Sequence, residues 1–223
     1  PFLRGVNYLV YEDNPEYATQ IIAETQVLYC LDYNGKNRVG KEMESVFGKT
    51  KAQKVMIDHH QNPEIFCDLT ISRPTICSTA QMIFQCIEEM GDIAQLDPSI
   101  AEGIYLGIMT DTGSFRFPSV DKQTHEILAH LIGLGLEHHH IHEAIYDVNS
   151  MDRLQLRGFA IAEKLEILEG LPIGIISLTQ EELNRFNYQK GDTEGLVNVI
   201  LSIEGMQVGA FFMERKEGVK ISF

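Results

Sequence analysis

The chain has 223 residues, 44% hydrophobic and 22% charged, with a formal net charge of −14. Those proportions describe a globular protein able to bury a sizeable core, in one large or two smaller domains at roughly 100–200 residues each. They exclude a coat for long DNA or RNA, which needs basic surface and counterion release, while leaving room for a short phosphorylated ligand at a cation-bearing site. No apolar run approaches the roughly 18 residues of a membrane span, and no signal-peptide pattern is present. None of Cys30, Cys67, Cys77 and Cys86 sits in a CxxC pair. Reduced thiols and a cytoplasmic setting are therefore expected.

In chain order, "VNYLVYED" alternates enough for a short strand, and "PEYATQIIAETQ" has the spacing of a helix that Pro15 can open. "VLYCLD", Val27 to Asp32, is a short apolar run rich in β-formers, which predicts a buried parallel strand. "KEMESVFGKTKA" predicts a short helix and "KVMID", Lys54 to Asp58, a second apolar strand. "STAQMIFQCIEEMG" predicts a helix capped by Ser78 or Thr79, with Ile83, Ile87 and Met90 as its buried stripe. "DPSIAEGIYLGIMTD" predicts a helix from Pro98 to about Asp111. Two more follow at "DKQTHEILAHLIGLG", with Ile127, Leu128, Leu131 and Ile132 inside, and at "HIHEAIYD".

"SMDRLQLRGFAIAEKLEILEG" predicts a long helix over 150–170. Beyond it, "LPIGIISL" reads as a strand and "TQEELNRF" as a helix opened by the capping box of Thr179 and Glu182. "LVNVILSI" is apolar and of open type, and "MQVGAFFMER" and "VKISF" read as strands. The alternation predicts an α/β protein: a parallel-sheet domain over 1–149, a connecting helix over 150–170 and a smaller mixed α/β domain over 171–223.

In open parallel sheets, ligands gather beyond the carboxyl ends of the strands. Asp32 ends one apolar run, Asp58-His59-His60 ends the next, and Asp111 ends a helix. Carboxylates brought together repel unless a cation lies between them. Mixed carboxylate and imidazole ligands suit manganese among other first-row ions. Two ions about 3.5–4 Å apart polarise a phosphoryl group and activate water, and a second histidine beside a ligating one has the phosphate to contact. "EHHHIHE", with His138, His139, His140 and His142, reads as a solvated helix entry.

"CLDYN", "IDHHQNPE", "SRPTICSTAQMIF" and "GIMTDTGSFRF" resemble motifs of the DHH phosphoesterase family, in its nanoRNase and phosphoadenosine-phosphate phosphatase branch, often called exopolyphosphatase-related. "ISLTQEELNRFNYQKGDTEGLVN" resembles that family's smaller carboxyl-terminal domain. The resemblance implies that Asp32 bridges two manganese ions, with magnesium or cobalt as substitutes, and that His59 and Asp111 ligate the second ion. It implies that His60 faces the substrate phosphate, that Asp58 supports the histidines, and that Ser114 and Arg116 help bind phosphate. The implied substrate is a short RNA oligonucleotide or 3'-phosphoadenosine 5'-phosphate, bound in a cleft between the domains, with no membrane partner and with a homodimer among the open oligomeric states.

Cyclic dinucleotides, polyphosphate or pyrophosphate are alternative substrates, and non-catalytic nucleotide binding is an alternative of another class. The family's opening His-x-x-x-Asp-x-Asp motif is absent before Asp32, and its Gly-Gly-Gly-His stretch is absent from the end. Both domains are therefore expected to be incomplete.

Overall fold

A computed structural model describes residues 7–216 and 218–223. The chain divides into two compact units, one ending at Ile145 and the other beginning at Tyr146.

The first unit is built on three parallel strands in the order β1 (Val27–Leu31), β2 (Gln53–Asp58), β3 (Leu69–Ser72). Helix α1 (Pro15–Glu24) precedes β1, with the Asn14 side chain accepting the Tyr17 N–H at its start. Helix α2 (Lys41–Phe47) lies between β1 and β2. After β3 come α3 (Thr79–Glu89), α4 (Pro98–Asp111), α5 (Lys122–Gly133) and α6 (His138–Tyr146). Side chains such as Phe84, Ile104, Ile108, Met109 and Leu131 form one core cluster among these helices. A smaller cluster of Cys30, Phe47 and Met56 joins α2 to the sheet. Cys30 and Cys67 are free thiols 3.6 Å apart there, and burial, then the bond to Cys30, pushes the Cys67 thiol up to about 12.

Several readings of this unit need correction. Strand β1, expected to be buried, lies at the edge of its sheet and exposes Val27, Tyr29 and Leu31, and Ile132 of α5, expected inside, is exposed. Residues 7–13 form no strand. Tyr11–Asp13 make a 3-10 turn, and Tyr8, Leu9 and Val10 stay exposed; a strand needs a neighbour to pair with, and among the described residues no strand pairs with them. Strand β3 went unpredicted because only ten residues, without a helix, separate it from β2, whereas parallel neighbours usually need a longer crossover. On α3 the fully buried face is Met82, Phe84 and the polar Gln81 and Gln85; of the predicted stripe Ile83 and Ile87 are half-buried, Ile87 against the helical core, and Met90 is exposed. Gln81 turns inward because its Oε1 accepts bonds from Thr124 Oγ1 and Cys77 Sγ, both 2.9 Å long.

The second unit carries a mixed sheet in the order β4 (Leu165–Ile167), β5 (Ile173–Leu178), β6 (Val208–Arg215), β7 (Gly218–Ser222). Strands β5 and β6 are parallel, and the outer pairs are antiparallel. Helices α7 (Met151–Glu163), α8 (Gln180–Arg185) and α9 (Leu196–Leu201) supply Leu156, Ala160, Leu183, Leu196 and Ile200 to its core. The helix expected over 150–170 stops at Glu163; Leu165 and Ile167 pair with β5 instead, where their alternation suits a pleat. The apolar "LVNVILSI" resolves into α9. Helix α9 lies close to the sheet because Gly174 and Gly209 face each other across β5 and β6, and a Cβ on either would meet Ile200. Among the described residues no helix is long and apolar enough to cross a membrane.

Candidate metal centre

The parallel pairing of β1 with β2 runs to Leu31 opposite Ile57, so the residues just beyond, Asp32 and Asp58, emerge at the same sheet edge. The backbone breaks from extended geometry at once. Asp32 has φ 64°, a left-handed conformation that short polar side chains tolerate best. Its N–H still donates to Ile57 O at 3.2 Å, holding it against β2.

Asp58 is fully buried, and both of its oxygens are used. One accepts the His60 backbone N–H at 3.0 Å, which turns the chain sharply after β2. The other lies 2.7 Å from His60 Nδ1. A carboxylate gripping one ring nitrogen sets the tautomer and leaves Nε2 for other work.

His59 is oriented from another direction. Its Nδ1 lies 3.2 Å from the Ile76 carbonyl oxygen, an acceptor that keeps the proton on that nitrogen. In the neutral ring Nε2 therefore presents a lone pair. It faces Asp32 Oδ1 at 3.6 Å and Asp111 Oδ2 at 3.8 Å, both too long for hydrogen bonds. Asp111 comes from the last turn of α4. Burial, and then the Asp32 carboxylate, hold its carboxyl above the usual carboxylate range, against the pull of His59 and His60.

Acceptor atoms thus converge, and among the described residues no hydrogen bond joins His59 Nε2 to either carboxylate. A cation resolves that conflict, and one imidazole nitrogen with two carboxylate oxygens is a donor set that divalent first-row ions accept. The ligating atoms of Asp32, His59 and His60 also lie within 4.8 Å of one another.

The structure therefore brings Asp32, His59, His60 and Asp111 together, with Asp58 behind His60. Ser114 and Arg116 stand differently. Gly113, Ser114 and Phe115 all have positive φ, at 56°, 62° and 65°, in a tight loop after α4. Ser114 N–H donates to Met109 O at 2.8 Å, and Arg116 Nε donates to Gly113 O at 2.7 Å. These bonds are local to the loop, and none reaches the acid and imidazole groups.

One contributor went unread in the sequence. Thr79, at the first turn of α3, donates its hydroxyl to Asp32 Oδ1 at 2.8 Å, so the helix start orients the carboxylate. Ser78 is the actual cap, accepting the Gln81 N–H at 3.1 Å. The only hint lay in adjacent hydroxyls at one helix start, of which capping needs one.

Residues 2–108 match the DHH family, N-terminal domain. The bifunctional oligoribonuclease and PAP phosphatase NrnA of Bacillus subtilis is 25% identical over 173 residues, covering 77% of this chain and 54% of that protein. Its namesake from Thermus thermophilus is 29% identical over 171 residues, covering 75% of this chain and 49% of that one. The crystal structure of an exopolyphosphatase-related protein from Bacteroides fragilis is 37% identical with a TM-score of 0.94, covering 99% of this chain and 65% of that one. The chain spans about half the length of the curated relatives it matches.

Proposed function

Because the chain belongs to the DHH family, we propose that it serves a divalent-metal-dependent hydrolase of phosphoesters, with short oligoribonucleotides and 3'-phosphoadenosine 5'-phosphate as substrates. The observation that carries this reading is the His59 Nε2 lone pair facing Asp32 and Asp111 oxygens at 3.6 and 3.8 Å. A pair of divalent ions, manganese by preference, would supply Lewis acidity and a water of lowered pKa.

The side chains divide the remaining work. Asp32, His59 and Asp111 hold positive charge at the sheet edge, and the Thr79 hydroxyl keeps Asp32 aimed. Asp58 fixes the His60 ring, leaving Nε2 as the atom that meets substrate. Protonated there, His60 donates to a phosphate oxygen as negative charge grows, or to the leaving oxygen. The relatives named as oligoribonuclease and PAP phosphatase support the substrate class. The exopolyphosphatase-related relative is the observation that favours a second reading, inorganic polyphosphate or pyrophosphate.

The test is a substrate panel in manganese: a diribonucleotide, 3'-phosphoadenosine 5'-phosphate, a cyclic dinucleotide and polyphosphate. The dinucleotide or the phosphoadenosine phosphate should be turned over fastest. His60→Ala and Asp111→Ala should each lower that rate by about 100-fold or more. Activity retained in either variant rejects the assignment, and preference for polyphosphate selects the second reading.

A further inference from the structure

The segment joining β2 to β3, residues 59–68, makes its parallel crossover without a helix. It opens with His59 and His60 and is fastened by hydrogen bonds to the residues that follow β1. Asn34 Nδ2 donates to Gln61 O at 2.8 Å, the Glu64 N–H donates to Asn34 O at 2.7 Å, and the Lys36 N–H donates to Glu64 Oε2 at 3.2 Å. Further on, Phe66 stacks on Tyr33 and meets Phe47 edge-on, with ring centroids 6.2 and 5.7 Å apart. The Asp68 N–H then donates to Lys54 O at 2.9 Å, just before β3 begins.

That fastening fixes Cys67 against Cys30. Their sulfurs are 3.6 Å apart, although 37 positions separate them in the chain. A disulfide needs about 2.05 Å, so a further approach of about 1.5 Å is required, which rotation about the two Cα–Cβ bonds can supply. The two thiols differ in access. Cys30 is fully buried, whereas Cys67 is half-buried. Cys77 stands in another situation, because its thiol is directed at Gln81 Oε1, 2.9 Å away, and is satisfied inside the core.

From the contact of one enclosed and one reachable thiol on two segments held in register, we propose that Cys30 and Cys67 are a site of reversible oxidation to an intramolecular disulfide, with a small disulfide of the glutathione class as oxidant. Cys67 attacks one sulfur of the oxidant. A bond forms between Cys67 and one glutathione, the oxidant's S–S bond breaks, and the other glutathione leaves as a thiol with the proton that Cys67 gives up. Cys30 then attacks the Cys67 sulfur. The Cys30–Cys67 bond forms, the mixed disulfide breaks, and the second glutathione leaves with the proton of Cys30. The protein loses two electrons and two protons, and the oxidant gains both. Cys30 cannot begin the sequence, because it is enclosed. Burial, and then Cys30, push the Cys67 thiol up to about 12, so the first step is slow, on the order of minutes to hours, and the pair answers sustained oxidation rather than a pulse. The new bond closes a loop that contains Asp32, His59 and His60. It ties the crossover bearing both imidazoles to the strand that presents Asp32, whether or not an ion is bound.

The experiment incubates the whole folded chain with oxidised glutathione in mildly alkaline buffer containing EDTA, alkylates it without reductant, and reads intact mass and a peptide map. The unsubstituted chain should lose the mass of two hydrogen atoms and two alkylatable thiols. One linked peptide pair should carry Cys30 and Cys67, and dithiothreitol should reverse all of it. Cys30→Ser should instead accumulate one glutathione on Cys67, the trapped first intermediate, while Cys67→Ser should leave Cys30 unmodified. In EDTA the oxidised chain should melt about 5 °C or more above the reduced one, a gain absent from Cys67→Ser treated alike. No activity is read and no metal is present, so the outcome stands apart from the hydrolase reading. Absence of the Cys30–Cys67 linkage in the unsubstituted chain, linkage through Cys77 or Cys86 in its place, or a melting temperature unchanged or lowered by oxidation overturns the inference.

Discussion

Asp58 does two jobs with two oxygens, and both act on His60. Replacing it with Asn keeps an acceptor for the backbone N–H but exchanges the carboxylate partner of Nδ1 for a neutral amide. Asp58→Asn should lower kcat by about 10–100-fold, with KM and manganese affinity changed much less, as measured by steady-state kinetics and metal titration. A parallel collapse of manganese affinity would instead place His60 among the ligands. The acids and histidines were legible as candidates because each ends an apolar run, where a fold can gather them. What linear sequence withholds is the partner of each. Thr79 reaches an acid 47 residues earlier in the chain, and His59 is oriented by a backbone carbonyl 17 residues later, which no side-chain pattern records.

Most elements were legible from periodicity and caps. Helix α4 begins at Pro98 and ends at Asp111 as its sequence predicts, with Asp97 accepting from the Ser99 and Ile100 N–H groups. Helices α5 and α8 open on capping boxes. The misses share a cause, which is tertiary demand. Residues 7–10 have strand-like sequence and, among the described residues, no strand to join, β3 sits beyond a crossover too short to announce it, and Gln81 is buried for a hydrogen bond.

The cap on α5 also makes a pH-dependent prediction. The Thr124 N–H, and then its hydroxyl, hold the Asp121 carboxyl below the usual range. A lowered folded pKa stabilises above the ordinary carboxylate pKa, and that stability is lost as pH falls through the lowered value. Asp121→Ala should therefore cost about 1 kcal/mol near neutral pH. In urea melts its deficit should shrink below about pH 4; a deficit independent of pH would show that the charge contributes nothing.

At the scale of the molecule, each unit has its own core: one held by Ile108, Met109 and Leu131, the other by Leu156, Ile176 and Leu196. The metal-ligand candidates all belong to the first. Whatever binds the native state alone stabilises it by mass action, about 2.7 kcal/mol at a hundredfold excess over Kd. Manganese should thus raise the melting temperature of the first unit and leave that of the second unchanged. Calorimetry on Leu156→Ala, a core truncation costing about 2–5 kcal/mol, should separate the two transitions and show which one the ion moves. An equal rise in both would mean that the units unfold as one.

The facing glycines of β5 and β6 share the clearance under α9, where Ile200 stands over both and Val197 also crowds Gly209. A methyl group at Gly174 or at Gly209 has to lift the same helix. Once one methyl has done so, the other finds room already made. Alanine at either position alone should destabilise by about 1–3 kcal/mol, and both together by clearly less than the sum in a double-mutant cycle. Two sites 35 residues apart in sequence would then drift as one, each tolerating change only after the other has changed.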